Sequence, residues 1–293
     1  MHRVQFSDPK WQWIAMLFLS LIWGSSFILM KKGLESYSYT QVAAFRLFFS
    51  FLFMLPLSIK NYRIITRENI DSLLVVGLVG FAIPAFLFTK AQTQINSSLA
   101  GMLNSLTPLF TLIIGLIFYK SKVKGMNVLG IIIGLIGALG LIWNRDIKIL
   151  EGINLYAVFI VIATICYGIN VNVLKYKLSN LTPVEITSVS FLFVGPIGGI
   201  YLLFTDFSGV TQTDHYILNL IYIAILALFS SVIAIIIFNA LIRYTTAIFA
   251  ASVTYIIPLF AILWGLFDGE QITLFQLMWM IVILIGVYLV NKK

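Results

Sequence analysis

Ten long apolar stretches separated by short polar breaks fill a chain of 293 residues, and this alternation constrains the fold more than any motif does. Backbone groups facing hydrocarbon must be satisfied within the protein, which leaves helices or a closed barrel. A barrel would read as segments of about ten residues with alternating polarity, whereas these runs are longer and apolar throughout. A spanning helix needs about 20 apolar residues. The stretches at 11–30, 40–59, 71–92, 97–118, 125–143, 154–174, 184–205, 216–240, 246–267 and 272–290 come close to that length or reach it. With 60% hydrophobic and 10% charged residues, the connections and tails are too short to bury a separate soluble core. The expectation is an all-α, multi-pass membrane protein of ten transmembrane helices. The first stretch is read as helix 1 rather than a cleavable signal, because it is long enough to span and no small-x-small site follows it.

The net charge of +8 does not point to nucleic acid, since the basic residues are scattered over the breaks and form no patch. Their placement is topological. With the N-terminus inside, Arg3, Lys10, Lys60, Arg63, Arg67, Lys120, Lys122, Lys124, Lys175, Lys177, Arg243, Lys292 and Lys293 fall on the inner side. Lys31, Lys32, Lys90, Arg145 and Lys148 fall outside, and Arg46 lies within a span. Such an excess predicts both termini in the cytoplasm. The single cysteine, Cys166, excludes an internal disulfide and reads as a small packing residue of helix 6. All eleven acidic residues lie in breaks or near helix ends, and His2 and His215 lie outside the spans. No central acid is offered as a proton relay, so facilitated diffusion or exchange is the simpler mechanism. No metal site or cofactor is expected, and the phosphate-binding loop of an ATPase is missing.

The chain divides near Arg145 to Gly152 into halves at 11–143 and 154–290. An offset of 144 pairs Trp23 with Tyr167, Gly24 with Gly168, Lys31 with Lys175 and Leu34 with Leu178. An offset of 150 pairs Ala100, Pro108, Leu109, Phe110, Gly115 and Leu116 with Ala250, Pro258, Leu259, Phe260, Gly265 and Leu266. Five helices per half is an odd number, so the second half enters the membrane from the opposite side. Two inverted five-helix repeats around a central cavity can open that cavity to each face in turn.

The stretches LSLIWGSSF (19–27) and FNALIRYTTAIFAASVTYIIPLFAILWGLFDGEQIT (238–273), with ten spans and inverted repeats, resemble the EamA-type transporters of the drug/metabolite superfamily. The resemblance covers nearly the whole chain. It implies an inner-membrane carrier with a central cavity and cytoplasmic termini, commonly exporting amino acids or other small metabolites. One departure is visible: the acidic residue that the family often places after helix 9 is Glu270, but the corresponding place after helix 4 is Lys120. Either the two ends are gated differently, or Lys120 serves the positive-inside rule.

Pro108 and Pro258 fall near mid-span, where a proline removes a backbone hydrogen bond; each is a hinge or a fixed kink. Around them Asn104, Ser105, Thr107, Ser252, Thr254 and Tyr255 either line a cavity or join helices. On a 3.6-residue helix Asn104 and Thr107 share one face, and Ser252, Tyr255 and Pro258 another. Trp23 and Tyr167 are candidate cavity walls, with Ser26 in the outer and Asn170 in the inner half of the membrane. Arg46 either snorkels outward or faces the cavity, where it would meet a polar group or the carboxylate of a solute. Asn239 is a further lining candidate, and Lys90 is read as an interfacial anchor.

The expected function is a secondary transporter moving a small polar or amphipathic metabolite by alternating access, in the export direction. Its partners would be a small-molecule substrate and membrane lipids, with no nucleic acid; the sequence sets no oligomeric state. The competing reading is an integral-membrane enzyme acting on a lipid or isoprenoid phosphate. Such chemistry needs clustered acids, histidines or a metal, and the carboxylates here are scattered. A channel is a third class, but neither a filter loop nor a ring-forming charged helix is evident.

Overall fold

The structure is a computed structural model that describes residues 8–120, 125–142 and 155–291. The basic residues Arg3, Lys122, Lys124, Arg145, Lys148, Lys292 and Lys293, with His2 and the 145–152 join, lie outside the described residues. Nine described helices are long and apolar enough to cross a membrane. They are α1 (Pro9–Leu34), α2 (Tyr39–Ile64), α3 (Ile70–Ala91), α4 (Ser97–Tyr119), α5 (Gly125–Ile142), α6 (Leu155–Tyr176), α7 (Pro183–Leu203), α8 (Tyr216–Tyr244) and α9 (Ala247–Phe267). The tenth stretch forms α10 (Leu274–Asn291), an apolar helix of 18 residues. Starts are set by ordinary caps: Ser38 and Thr182 form capping boxes with Gln41 and Glu185, and Asn96 accepts from the Leu99 N–H.

Apolar side chains cover the outside, as hydrocarbon requires; Ile117 is 66% exposed, Leu139 67% and Leu203 82%. The inside carries buried serines and threonines whose hydroxyls bond backbone carbonyls. Ser20 donates to the Met16 and Val253 carbonyls at 2.7 and 3.1 Å, and Ser58 to those of Met54 and Ser188 at 3.0 and 2.8 Å. In lipid such bonds hold helices together without a hydrophobic drive between them.

The helices of the two halves pack reciprocally. α1 lies on α9 and α6 on α4, while α2 packs on α7 and α5 on α10. Gly24 of α1 sits so close to Phe260 that a Cβ would meet the Phe260 Cβ, and Gly168 of α6 would place a Cβ 2.8 Å from the Phe110 carbonyl carbon. Reciprocal contacts between equivalent residues are what a two-fold relation produces. Along α5, Gly130, Gly134, Gly137 and Gly140 form one stripe against Gly286, Trp279 and Ile283 of α10, the small-residue geometry of close helix approach.

Four helices are irregular, again in pairs. In α3 the segment Val76–Ala82 is π-helical, and in α8 so is Leu226–Ile233. In α3 Pro84 has no N–H to give the Gly80 carbonyl, and the Ile83 N–H bonds the Leu78 carbonyl five residues back. In α8 the Ala234 N–H likewise reaches the Phe229 carbonyl, leaving the Ser230 carbonyl without its α-helical donor. α4 is broken between Ser97–Asn104 and Thr107–Tyr119. α9 is broken at a 3-10 turn, Ser252–Tyr255, before Ile257–Phe267.

These breaks correct the expectation of prolines inside continuous helices. Pro108 and Pro258 stand in the first turn of the second half-helix, the position where a missing N–H is harmless. Pro108 cannot bond the Asn104 carbonyl, and the Thr107 hydroxyl does so instead at 2.9 Å.

Candidate functional site: a chamber between the halves

The π-helical turns and the helix breaks face one chamber. It holds about 910 Å³ of space between its atoms, its opening included, and its wall includes Gly80, Phe81, Ser230 and Ser231 from the two π segments. Nine sequence-selected residues stand in that wall: Trp23, Ser26, Arg46, Asn104, Thr107, Tyr167, Asn170, Asn239 and Thr254. Ser26 and Asn170, expected at different depths, border the same space. Tyr255 does not line it: its hydroxyl donates to the Val287 carbonyl of α10 at 2.8 Å. Tyr255→Phe is therefore expected to cost about 1 kcal/mol of stability and to leave solute flux unchanged, which a melting curve and a flux assay on one preparation will check.

Two aromatic pairs flank the chamber. Trp23 meets Phe238 edge-on at 5.0 Å and 74°, and Tyr167 stacks on Phe88 at 5.9 Å and 25°. Each pair joins one half to the other, and an offset of 150 relates Phe88 to Phe238. The Trp23 indole N–H donates at 3.1 Å to the Ser230 carbonyl, the group freed by the π-helical turn. On the other side Asn170 packs on Gly80, where a Cβ would come within 2.6 Å of its amide carbon and oxygen. Only a residue without a side chain lets the amide lie there. Phe81 and Phe191 stack at 4.6 Å in the same wall.

Arg46 faces inward and does not snorkel. Its Nε donates to the Ser231 hydroxyl at 2.7 Å, and it borders the chamber. None of the residues lining the chamber is acidic, and none of the ion pairs among the described residues includes Arg46. Three acceptor atoms buried in the wall take no hydrogen bond among the described residues: Asn170 Oδ1, Asn239 Oδ1 and Ser230 Oγ. Asn172, beside Asn170 in sequence, instead joins helices, its amide donating to the Thr111 and Gly168 carbonyls at 2.9 Å each.

The two ends of the chamber differ. At one end Glu270, its side chain 3% exposed, accepts from the Ser97 N–H and hydroxyl at 2.9 and 2.7 Å and from the Ser98 N–H and hydroxyl at 3.0 and 2.6 Å. The carboxylate thus caps the start of α4, where the helix dipole favours negative charge. Lys31 of α1 adds contacts to Glu270 at 2.8 Å and Asp268 at 2.7 Å, and Lys32 reaches Asp268 at 2.9 Å. Burial pushes the Glu270 carboxyl upward, but the bonds from Lys31, Ser98 and Ser97 prevail and hold it at about 2. At the other end Lys175, the counterpart of Lys31, donates to the carbonyls of Ile242, at 2.9 Å, and Thr245. Lys120, in the place corresponding to Glu270, is exposed in a left-handed cap with φ 52°. Asn239 borders both the chamber and a smaller cleft beside Lys175, Ser179 and Arg243. Lys90 lies 4.4 Å over the Tyr39 ring and 5.9 Å from that of Tyr156, away from the chamber.

A sequence model of the EamA-like transporter family matches the chain twice, over residues 10–143 and 154–292. The chain belongs to the EamA-like transporter family. Similar proteins carry transporter names: an uncharacterized transporter of Archaeoglobus fulgidus is 25% identical, covering 96% of this chain and 99% of its own. The uncharacterized inner membrane transporter YedA of Escherichia coli K12 is 26% identical over 91% and 85%. Protein PagO of Salmonella typhimurium is 23% identical over 94% and 91%. One solved structure superposes over 97% of both chains with a TM-score of 0.69 at 11% identity, a likeness of fold. As an EamA-like protein the chain is a multi-pass membrane transporter, and the lipid- or isoprenoid-phosphate enzyme reading has no observation on its side.

Proposed function

We propose that this EamA-like chain is a secondary carrier of ten spans, moving a small polar or amphipathic metabolite of the amino-acid size class by alternating access, outward across the plasma membrane. The observation that carries the reading is reciprocity. Equivalent contacts join the two halves across one chamber, Trp23 with Phe238 and Tyr167 with Phe88, as inverted repeats exchanging conformations require. In this reading the latch at Lys31 and Glu270 lies at the outer end, the Lys175 end is cytoplasmic, and both termini are inside. The breaks before Pro108 and Pro258 are the hinges, since half-helices joined by a few residues outside the α-helical ladder can rotate without tearing a continuous one. Export is the direction that the family resemblance implies.

Counterflow in proteoliposomes tests this. A carrier loaded with unlabelled solute on the far side accelerates entry of labelled solute, whereas a channel or an enzyme does not. A metabolite panel that gave no trans-acceleration with any solute would refute the carrier.

A further inference from the structure

Arg46 brings a positive charge into the membrane interior and leaves most of it uncommitted. Only Nε is engaged, with the Ser231 hydroxyl; neither Nη group takes part in a hydrogen bond or ion pair among the described residues. A guanidinium in a protein interior is expensive unless paired, and its free fork matches the two oxygens of a carboxylate. Among the described residues, none in the wall of the chamber that it borders is acidic. The fixed charge there is one cation, so the ligand that leaves the occupied chamber neutral is a monoanion.

The uncharged polar groups add a second requirement. Asn170 is 7% exposed, Asn239 5% and Ser230 2%, and an oxygen of each is buried without a protein donor. The two amide oxygens can only accept. They call for a hydroxyl or N–H on the solute, and a buried acceptor left unmatched weakens binding. An ammonium could donate to them, but it would be drawn out of water beside Arg46 with no carboxylate to balance it. The rest of the wall is apolar, with Phe27, Phe81, Phe88, Phe191 and Phe238 around the polar groups.

We infer that the chamber selects a small hydroxy-carboxylate with an apolar body, its carboxylate on Arg46 and its hydroxyl donating to the Asn170 oxygen, in preference to zwitterions and amines. The assignment rests on the chamber being the solute site of the proposed carrier.

Equilibrium binding to the purified full chain in nanodiscs, read by tryptophan fluorescence and thermal shift, tests the class without needing flux. The probes share one ring: 3-phenyllactate, 3-phenylpropionate, phenylalanine and phenethylamine. Phenyllactate binds tightest. Phenylpropionate is weaker by about tenfold for its missing hydroxyl, phenylalanine is weaker than phenyllactate by at least that factor, and phenethylamine does not compete. Arg46→Gln weakens phenyllactate by about a hundredfold. Asn170→Ala narrows the gap between phenyllactate and phenylpropionate, a selectivity change that a general loss of fold does not give.

Phenylalanine or phenethylamine binding as tightly as phenyllactate would overturn the assignment. So would unchanged phenyllactate affinity in Arg46→Gln, an unchanged gap in Asn170→Ala, or no binding by any probe. Phenyllactate binding with this selectivity but no counterflow would sink the carrier and leave the class standing. Counterflow that preferred the zwitterion would do the reverse.

Discussion

Glu270→Gln unfastens one end of the chamber and raises the reactivity of a cysteine placed at Met30, in a Cys166→Ser background, at least tenfold toward a water-soluble maleimide added from that end. Met30 is 1% exposed and stands in the chamber wall near the latch, so it reports opening. Glutamine keeps the shape of Glu270 but turns one carboxylate oxygen into an NH2 facing either the Ser97 or the Ser98 donors, where donor meets donor. It also removes one of the two carboxylates that answer Lys31, which keeps Asp268 at 2.7 Å. Leaving the Ser97 or Ser98 donors buried without an acceptor costs about 1–3 kcal/mol. The end of the bundle can avoid most of that cost by opening and hydrating those groups, so the effect is a population shift rather than unfolding. Asp268→Asn acts more weakly, because Asp268 is 17% exposed and holds only the two lysines. With Glu270 held at about 2 in the folded protein, against about 4.3 for a free glutamate, its contribution is fully present above the free value and is lost only as pH falls through about 2. Mild acidification to pH 5 therefore leaves the latch closed. A Glu270→Gln protein whose Met30→Cys labelling matches the parent would show that the latch does not hold this end.

The second large effect concerns the crossings of α1 with α9 and of α6 with α4. Gly24→Val drives a side chain into Phe260 and toward the Ile257 carbonyl at 3.0 Å. Gly168→Val meets the Phe110 carbonyl carbon at 2.8 Å and the Thr111 nitrogen at 2.9 Å. Both valines should lower the melting temperature by several degrees, since overpacking costs about 1–3 kcal/mol or more. Alanine grades the comparison: Gly24→Ala is the harsher, because its Cβ meets the Phe260 Cβ at 2.4 Å, an atom fixed to the backbone, against a nearest approach of 2.8 Å at Gly168. Gly209→Ala serves as the control, with nothing within 4 Å of its Cβ. A Gly168→Val protein melting with the parent would remove the close crossing of α6 and α4 from the account.

The helices were legible because lipid imposes one rule on every span, and that rule is written in hydropathy. The repeat was legible because paired residues such as Trp23 and Tyr167, or Pro108 and Pro258, keep their spacing. Much of the chamber wall could also be chosen, since polar side chains in apolar helices have few places to go. Tyr255 was misplaced for a geometric reason. Sharing a face with Pro258 presumes 3.6 residues per turn, but Ser252–Tyr255 is a 3-10 turn of about three, and the tyrosine swings to α10. Ser230 and Ser231 carried no signal of their own, because a serine in a span more often bonds its own helix, as Ser20 and Ser58 do. The offset of 150 that links Gly80 to Ser230 and Phe88 to Phe238 was available but is meaningful only once the π-helical turns are seen in both helices.

The two fastenings, ionic at Glu270 and carbonyl-based at Lys175, have a kinetic consequence. A carrier whose closed ends differ in strength rests unequally between its two orientations, so half-saturation concentrations measured from the two faces differ. For an uncoupled carrier the ratio of maximal velocity to half-saturation must nonetheless be equal in both directions, since no gradient can be made from nothing. Weakening Glu270 would then trade speed against apparent affinity on each face while leaving that ratio balanced.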